Sequence, residues 1–221
     1  MTTRRLERTL YTYFRSSAAY RVRIAMNLKG LKANHTFVHL TRGGGEQFGE
    51  AFRALNPQAL VPTLCDSGVR VSQSLAIMEY LDEVYPESPL LPPMPADRAF
   101  VRQLSLSIAC DIHPLNNLRV LKYLTGTLEV TETQKSQWIS HWIALGLEAV
   151  EAQLAQRKQG GVFCFGDAPT MADCCLVPQV FSAQRFNVDL SSCPTLLSVF
   201  DACEALPAFA AAHPSRQADA E

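Results

Sequence analysis

The stretch Thr9-Leu10-Tyr11-Thr12-Tyr13-Phe14-Arg15-Ser16-Ser17-Ala18-Ala19-Tyr20-Arg21-Val22-Arg23-Ile24-Ala25 joins a strand pattern to a helix pattern. The β-branched and aromatic residues before Arg15 are typical of a strand. Apolar residues then recur at helical spacing, and Gly30 marks a helix end. We therefore predict a strand over residues 9–14, a helix over residues 17–29 and a polar corner between them that carries Ser16 and Ser17.

The rest of the first third continues this alternation of strand and helix patterns. Three glycines at 43–45 open a loop, and the turn sequence Asp66-Ser67-Gly68 separates two short strand patterns, which predicts a hairpin. The resulting order is βαβαββα, an α/β domain. After the first strand and helix, elements are predicted at residues 36–40, 48–55, 60–65, 69–71 and 74–85.

Five prolines between positions 86 and 95 mark a change of organisation. Proline cannot donate to a regular hydrogen-bond ladder, so this segment predicts a linker. Beyond it strand patterns fade, and Thr170 with Asp173 forms a capping box that we interpret as structural. We predict a first domain at 1–86, a linker at 87–96 and an all-α C-terminal domain at 97–221. Its helices are predicted at residues 97–125, 131–156, 170–186 and 195–205.

The composition excludes several classes of function. With 48% hydrophobic and 19% charged residues in a chain of 221, there is enough apolar surface for a folded core. A net charge of -1 argues against nucleic-acid binding. The charged segment 1–8 lacks an apolar signal-peptide region, and no apolar run reaches the roughly 18 residues of a membrane span. Seven cysteines lack metal-ligand spacing, so we expect no metal site, no disulfide framework and a cytoplasmic protein.

Several short motifs lie within the two predicted domains. They are Arg15-Ser16-Ser17-Ala18-Ala19-Tyr20-Arg21-Val22-Arg23-Ile24-Ala25, Leu55-Asn56-Pro57, Val61-Pro62-Thr63-Leu64, Gln73-Ser74-Leu75-Ala76-Ile77, and Asp173 with Leu176-Val177-Pro178-Gln179. In this combination the chain resembles the zeta-class glutathione transferases, the maleylacetoacetate and maleylpyruvate isomerases. The resemblance implies a thioredoxin-like first domain, glutathione as cofactor and a homodimer.

The resemblance also explains why no His, Cys or acid lies beside the two serines. The reactive thiol belongs to glutathione, and a hydroxyl donor together with free amides at a helix N-terminus favours its ionised form. Catalytic roles are implied for Ser16, Ser17 and Arg15, with Ser16 matching the serine usually credited with the chemistry. The residues alone leave open that Ser16 only caps the helix. Ala18 replaces the usual cysteine of the family, so any role of that cysteine is absent here.

Further glutathione contacts are implied by the resemblance. Val61-Pro62 resembles the cis-proline turn that offers a backbone N–H and C=O to the cysteinyl part of the tripeptide, although an ordinary trans proline is open from the residues alone. A helix beginning at Gln73 and Ser74 suits the γ-glutamyl carboxylate, and Gln47 matches a position near the glycyl end. The implied contacts are Ser16, Ser17, Gln47, Val61, Pro62, Gln73, Ser74, His113 and Asn117.

The implied substrate is a small cis-enedione carboxylate. Guanidinium groups bind carboxylates bidentately, which favours arginines near the site. Pro114 predicts a kinked helix in which His113 and Asn117, four residues apart, share a face. The maleylpyruvate isomerases resemble this chain at His113, Asn117 and Arg119, which favours maleylpyruvate. The candidate substrate-binding residues are Arg15, Arg119, Arg185 and His113.

Two other functions remain open from the sequence. A transferase or dehalogenase acting on α-haloacids needs the same serine and the same anion site. A non-catalytic glutathione-binding protein would retain the scaffold, and the loss of the cysteine at Ala18 favours it, whereas Ser16, Arg15 and Arg185 argue against it. Trp138 and Trp142 are expected to fill the helical core or its interface.

Overall fold

The computed structural model of this chain describes residues 8–157 and 160–221. The remaining N-terminal residues, on which the absence of a signal peptide was predicted, lie outside the described part. The chain divides into two units, one containing the described residues up to Leu90 together with Pro207–Glu221, the other Leu91–Leu206.

A four-stranded mixed sheet forms the centre of the first unit, in the order β2-β1-β3-β4. β1 runs parallel to β2, to which a helical crossover joins it, and antiparallel to β3. β3 and β4 are antiparallel because a hairpin joins them. The predicted βαβαββα order and thioredoxin-like fold are confirmed. The elements are β1 (Arg8–Thr12), α1 (Ser17–Leu28), β2 (Asn34–Phe37), α2 (Glu50–Leu55), β3 (Thr63–Asp66), β4 (Val69–Ser72) and α3 (Ser74–Val84).

The apolar core of this unit lies between the sheet and the helices. Leu10 of β1 is opposite Leu64 of β3, and both side chains are fully buried. They pack with buried side chains of α1 and α3, namely Val22, Met26, Ile77 and Leu81. This packing fixes α1 against the sheet and so fixes the position of its first residue.

The last residues of the chain add a helix to the first unit. α9 (Pro207–Ala212) packs on α1, and its Phe209 is fully buried. Asn27 Nδ2 of α1 donates to the Ala208 carbonyl at 2.9 Å. The sequence had predicted that residues 207–221 belong to the helical domain, whereas the structure groups them with the first unit. The reason is that α1 is buried on nearly all sides, so its apolar face opposite the sheet must pack against another segment of the chain.

The regular elements of the second unit are all helices within its described residues, as predicted. Its core is built from one face of the long helix α6 and from α7, which is buried over most of its length. The helices are α4 (Pro95–Leu106), α5 (Leu118–Gly126), α6 (Glu132–Ala155), α7 (Met171–Arg185) and α8 (Pro194–Glu204).

The helix predicted over residues 97–125 is interrupted. A π-helical turn at Ser107–Ile112 is followed by a 3₁₀ turn at His113–Asn116, and Asn117 has extended backbone angles. The expectation that His113 and Asn117 share a helical face is therefore wrong, because no α-helical turn joins them. Trp138 of α6 donates from Nε1 to the carbonyl of Leu115 at 2.8 Å and holds the 3₁₀ turn in place.

The capping box at the start of α7 is confirmed. The buried Asp173 carboxylate accepts hydrogen bonds from the Thr170 N–H at 2.7 Å and from the Cys164 N–H at 2.8 Å. Burial raises the pKa of Asp173, while these hydrogen bonds act in the opposite direction. The seven cysteines are free thiols. Within the described residues, no helix has both the length and the apolar character to cross a bilayer.

Candidate active site at one end of the sheet

Ser16 lies at the corner between β1 and α1. It is the N-cap residue of α1, and its Oγ accepts a hydrogen bond from the Ala19 N–H at 3.2 Å. Its own N–H donates to the Tyr13 carbonyl at 3.0 Å, which closes a tight turn. A serine hydroxyl can accept one hydrogen bond and still donate its own proton. Capping and donation to a ligand are therefore compatible at Ser16, and the cap fixes where the hydroxyl points.

Two sources of positive charge lie at this corner, the N-terminus of α1 and Arg15. The first turn of α1 contains no acidic residue, and its free N–H groups carry partial positive charge. Arg15 is exposed, with its guanidinium 4.9 Å from the Phe14 ring centre. Among the described residues, no carboxylate forms an ion pair with Arg15. Ser17 is the first residue of α1 and, like Ala18, is half-buried.

Val61 and Pro62 lie beside this corner. Their peptide bond is cis, as the resemblance implied. Because Thr63 pairs with Tyr11 on β1, the chain before β3 runs next to the end of β1, and Val61 packs with Tyr13 and Phe14. Neither the N–H nor the C=O of Val61 has a hydrogen-bond partner in the described part of the chain. Such a pair of groups can receive an extended peptide in the manner of an added strand.

The start of α3 lies at the same end of the sheet, since Ser72 of β4 is opposite Thr63. Gln73 has φ 73°, in the left-handed region that a non-glycine residue adopts only at a cost. Its Nε2 donates to Gln58 Oε1 at 2.8 Å. The buried Ser74 hydroxyl accepts from Arg21 Nη1 at 3.2 Å, which ties the start of α3 to α1.

Gln47 is a buried amide in the glycine-rich loop before α2. Its Nε2 donates to the Leu40 carbonyl at 3.3 Å, whereas its Oε1 is buried without a hydrogen-bond partner among the described residues. A side chain at Gly45 would overlap this amide, and Gly45 has φ 119°. The loop therefore needs glycine there in order to hold Gln47.

The structure thus brings eight of the predicted residues into one unit. They come from the corner after β1, the segment before β3, the start of α3 and the loop before α2. They are Arg15, Ser16, Ser17, Gln47, Val61, Pro62, Gln73 and Ser74.

The other predicted residues belong to the helical unit. Asn117 is the N-cap of α5, and its Oδ1 accepts from the Arg119 N–H at 3.1 Å. Arg119 is exposed, and His113 is half-buried in the 3₁₀ turn. Arg185 ends α7, with its guanidinium 4.6 Å from the Phe186 ring centre. The cap gives Asn117 a structural role that the sequence did not predict.

Two charged residues near Ser16 were missed from the sequence. Arg23 donates from Nη2 to the Phe14 carbonyl at 3.0 Å, and Asp219 accepts from the Phe14 N–H at 2.9 Å. Arg23 had a readable signal, because an arginine among apolar residues on all sides of a helix indicates a buried cation. Asp219 had none, since nothing local places a C-terminal residue beside Phe14.

A cavity of about 450 Å³ lies in the first unit between the loop after β2 and the C-terminal segment, and Asp219 is among the residues that line it. Glu221 Oε1 lies 3.2 Å from His39 Nε2 and 2.6 Å from Arg42 Nη2 at its edge. These hydrogen bonds lower the pKa of Glu221. None of the predicted glutathione contacts lines this cavity. Nor do the described residues contain three or more His, Cys, Asp or Glu side chains grouped for a metal ion.

Known proteins match nearly the whole length of the chain. The family model described as glutathione S-transferase, N-terminal domain, matches residues 15–84, and the C-terminal domain model matches residues 143–211. A probable maleylacetoacetate isomerase of Vibrio cholerae is 50% identical over 211 residues, which cover 96% of this chain and 97% of the relative. The chain belongs to the glutathione S-transferase family. The family resemblance noted in the sequence is thereby confirmed.

Solved members of the glutathione S-transferase family share the fold. A holo structure of maleyl pyruvate isomerase, described as a bacterial zeta-class glutathione S-transferase, matches with TM-score 0.92 and 46% identity over 96% of this chain and 100% of that chain. A maleylacetoacetate isomerase from Anaeromyxobacter dehalogenans, crystallised with glutathione in its active site, matches with TM-score 0.86 and 43% identity over 97% and 98% of the two chains.

Proposed function

We propose that this chain is a glutathione-dependent cis–trans isomerase that acts on maleylpyruvate or maleylacetoacetate. The observation that carries the proposal is the Ser16 hydroxyl, fixed at the N-terminus of α1 beside the unpaired backbone of Val61. End-to-end similarity to isomerases of both substrates supports it.

The residues present fit a bound glutathione. The Val61 N–H and C=O would pair with the cysteinyl backbone of the tripeptide, since both lack a partner within the described residues. The free amides at the start of α3, behind Gln73 and Ser74, would hold the γ-glutamyl carboxylate. The unpaired Oε1 of Gln47 would accept a hydrogen bond from the glycyl part.

Glutathione, when bound, supplies a thiolate that adds reversibly to the cis double bond, which can then rotate as a single bond before the thiolate leaves. Ser16 would donate its hydroxyl proton in a hydrogen bond to the sulfur, while the Ala19 N–H holds Oγ in place. The α1 N-terminus and Arg15 add positive potential. An unperturbed cysteine thiol has a pKa of about 8.5, and each of these groups favours the ionised form.

Arg15 is also the first candidate to bind a substrate carboxylate, because its exposed guanidinium is adjacent to Ser16. Roles for Arg185, Arg119 and His113 in substrate binding stay predictions that rest on the resemblance. The preference for maleylpyruvate, the homodimer and the cytoplasmic location stay predictions as well.

The direct test is a glutathione-dependent isomerase assay with maleylpyruvate and maleylacetoacetate, beside a dehalogenase assay with dichloroacetate. We expect turnover of a maleyl substrate to exceed haloacid turnover. Faster turnover of dichloroacetate would reassign the chain to the α-haloacid enzymes. Glutathione binding without turnover of all three would make it a binding protein.

The variant Ser16→Ala separates catalysis from helix capping. It removes both the cap and the proposed donor, so we expect turnover to fall by about tenfold to hundredfold, as the bound thiol pKa rises by about one to two units. Thr131→Ala is the matched control, because the Thr131 hydroxyl caps α6 with the same 3.2 Å bond to the Gln134 N–H. Each variant should lose about 1 kcal/mol of stability, but only Ser16→Ala should lose activity. Equal activity of the two variants would contradict the assigned role.

A further inference from the structure

The peptide groups on both sides of Phe14 are held by charged side chains. The Phe14 N–H donates to Asp219 Oδ2 at 2.9 Å, and the Phe14 carbonyl accepts from Arg23 Nη2 at 3.0 Å. Arg23 also donates to the Tyr13 carbonyl at 3.3 Å, the same oxygen that accepts from the Ser16 N–H. The turn that carries Ser16 is thus fixed from α1 and from the C-terminal segment.

These bonds are charge-assisted and lie largely out of water. Arg23 is 3% exposed, and burial lowers its pKa to about 10, so the guanidinium remains charged at neutral pH. The nearby Asp219 charge raises the pKa of Arg23 and so acts against the effect of burial. Hydrogen bonds to ionised groups are stronger than neutral ones, so the turn has little freedom to rotate.

The second carboxylate oxygen of Asp219 makes this arrangement costly. Oδ1 is buried without a hydrogen-bond partner among the described residues. A buried carboxylate oxygen without a partner lowers stability. Oδ2, in contrast, has a defined partner in the Phe14 N–H, and this hydrogen bond links the C-terminal segment to the corner that carries Ser16.

We propose that Asp219 is a positioning residue for Ser16, an inference that rests on the proposed function. Phe14 is two residues before Ser16, and a rotation of its peptide would turn the Ser16 hydroxyl away from a thiol seated beside Val61. The hydrogen bond of Asp219 is to the backbone of Phe14. It acts through the backbone, by holding the corner in the orientation that favours thiolate formation.

The test measures the pKa of the glutathione thiol on the protein, from the ultraviolet absorbance of the thiolate as pH is varied. Asp219→Ala removes the acceptor, and we expect the bound thiol pKa to rise by about one unit, which is about tenfold less thiolate at a pH below it. Asp219→Asn keeps an oxygen acceptor and should retain most of the thiolate. Affinity for S-methylglutathione, which has no ionisable thiol, should stay within about twofold in both variants, because the proposed role of Asp219 is exerted through Ser16 on the thiol.

Asp189→Ala is the matched control, since Asp189 Oδ1 also accepts from a backbone N–H at 2.9 Å, that of Ser191 in the helical unit. It should leave the thiol pKa unchanged. If Asp219→Ala does not fold, Asp219→Glu replaces it, because one additional methylene moves the carboxylate away from the Phe14 N–H while keeping the charge.

Several results would overturn the proposal. An unchanged thiol pKa in Asp219→Ala, with a raised pKa in Ser16→Ala, would show that Asp219 only anchors the tail and would leave the proposed function intact. Equal thiol pKa values in Asp219→Ala and Asp219→Asn would exclude the hydrogen bond to Phe14 as the cause. A wild-type thiol pKa near that of free glutathione would contradict both proposals, the role of Ser16 in ionising the thiol and the role of Asp219 in positioning Ser16.

Discussion

Arg15 carries an exposed guanidinium one residue before Ser16, placed over the Phe14 ring. If it binds a substrate carboxylate, Arg15→Ala should lower kcat/KM for a maleyl substrate by about tenfold to hundredfold, since hydrogen bonds to charged groups contribute about 1.5–3 kcal/mol. Arg15→Lys should recover only part of this loss, because an ammonium group cannot bind a carboxylate bidentately. Steady-state kinetics on both maleyl substrates measures the effect.

Arg53 offers a matched control for this prediction. It is also exposed, and its guanidinium lies 5.6 Å from the centre of the Phe48 ring. Arg53→Ala removes the same charge from a similar setting in the same unit, so it should change kcat/KM by less than about twofold. An equal loss in both variants would mean that net charge, and not a bound carboxylate, explains the effect of Arg15.

At the scale of single residues, the sequence predicted groups that belong to local motifs and missed those that act from a distance. Ser16 is readable because strand, hydroxyl and helix follow one another in the chain. The cap at Asn117 was not predicted, and its contact with glutathione stays a prediction that rests on the resemblance. Asp219 was missed because its partner, Phe14, is 205 positions away.

Among the elements, the break between α4 and α5 is the part that periodicity could not predict. Pro114 predicts a kink, since it lacks an N–H and cannot continue the helix. It does not predict that the His113 N–H donates to Ile108, five residues back, in a π-helical turn. A π turn adds one residue to a helical turn, so it depends on what the neighbouring helix allows, here the close approach of α6.

Gly146 of α6 permits that approach. A β-carbon at this position would overlap the buried side chain of Ile112 at the end of the π turn. We expect Gly146→Ala to lower the free energy of unfolding by up to about 2 kcal/mol, because overpacking costs about 1–3 kcal/mol and the better helix propensity of alanine offsets about 1 kcal/mol. Urea denaturation followed by circular dichroism measures the change.

Gly126 at the end of α5 is the control for this variant, because a β-carbon there would meet no atom within 4 Å. Gly126→Ala should be neutral or slightly stabilising. In a protein that already carries Ile112→Ala, Gly146→Ala should cost less stability than it does in the wild type, since the overlapping side chain is gone. A Gly146→Ala protein as stable as Gly126→Ala would show that the π turn does not depend on the close contact.

For the molecule as a whole, the βαβαββα unit, the helical unit and the family were predictable from the sequence. Each of these predictions rests on patterns that extend over many residues. The return of residues 207–221 to the first unit was not. A short helix rich in alanine carries an apolar face but no information about which core that face joins. Only the folded structure shows that α1 is buried on nearly all sides and that this short helix packs against it.

Phe209 tests whether this returning segment is part of the first unit's core. Its side chain is fully buried, so Phe209→Ala should lower the free energy of unfolding by about 3–5 kcal/mol. Phe48 is the control, because it is 48% exposed, and Phe48→Ala should cost less than about 1 kcal/mol. Because Asp219 lies on the same segment, Phe209→Ala should also speed amide hydrogen exchange over residues 207–221 and raise the pKa of the bound glutathione thiol. If the segment were only an appendage, exchange there would already be fast in the wild type, and the two phenylalanine variants would be equally stable.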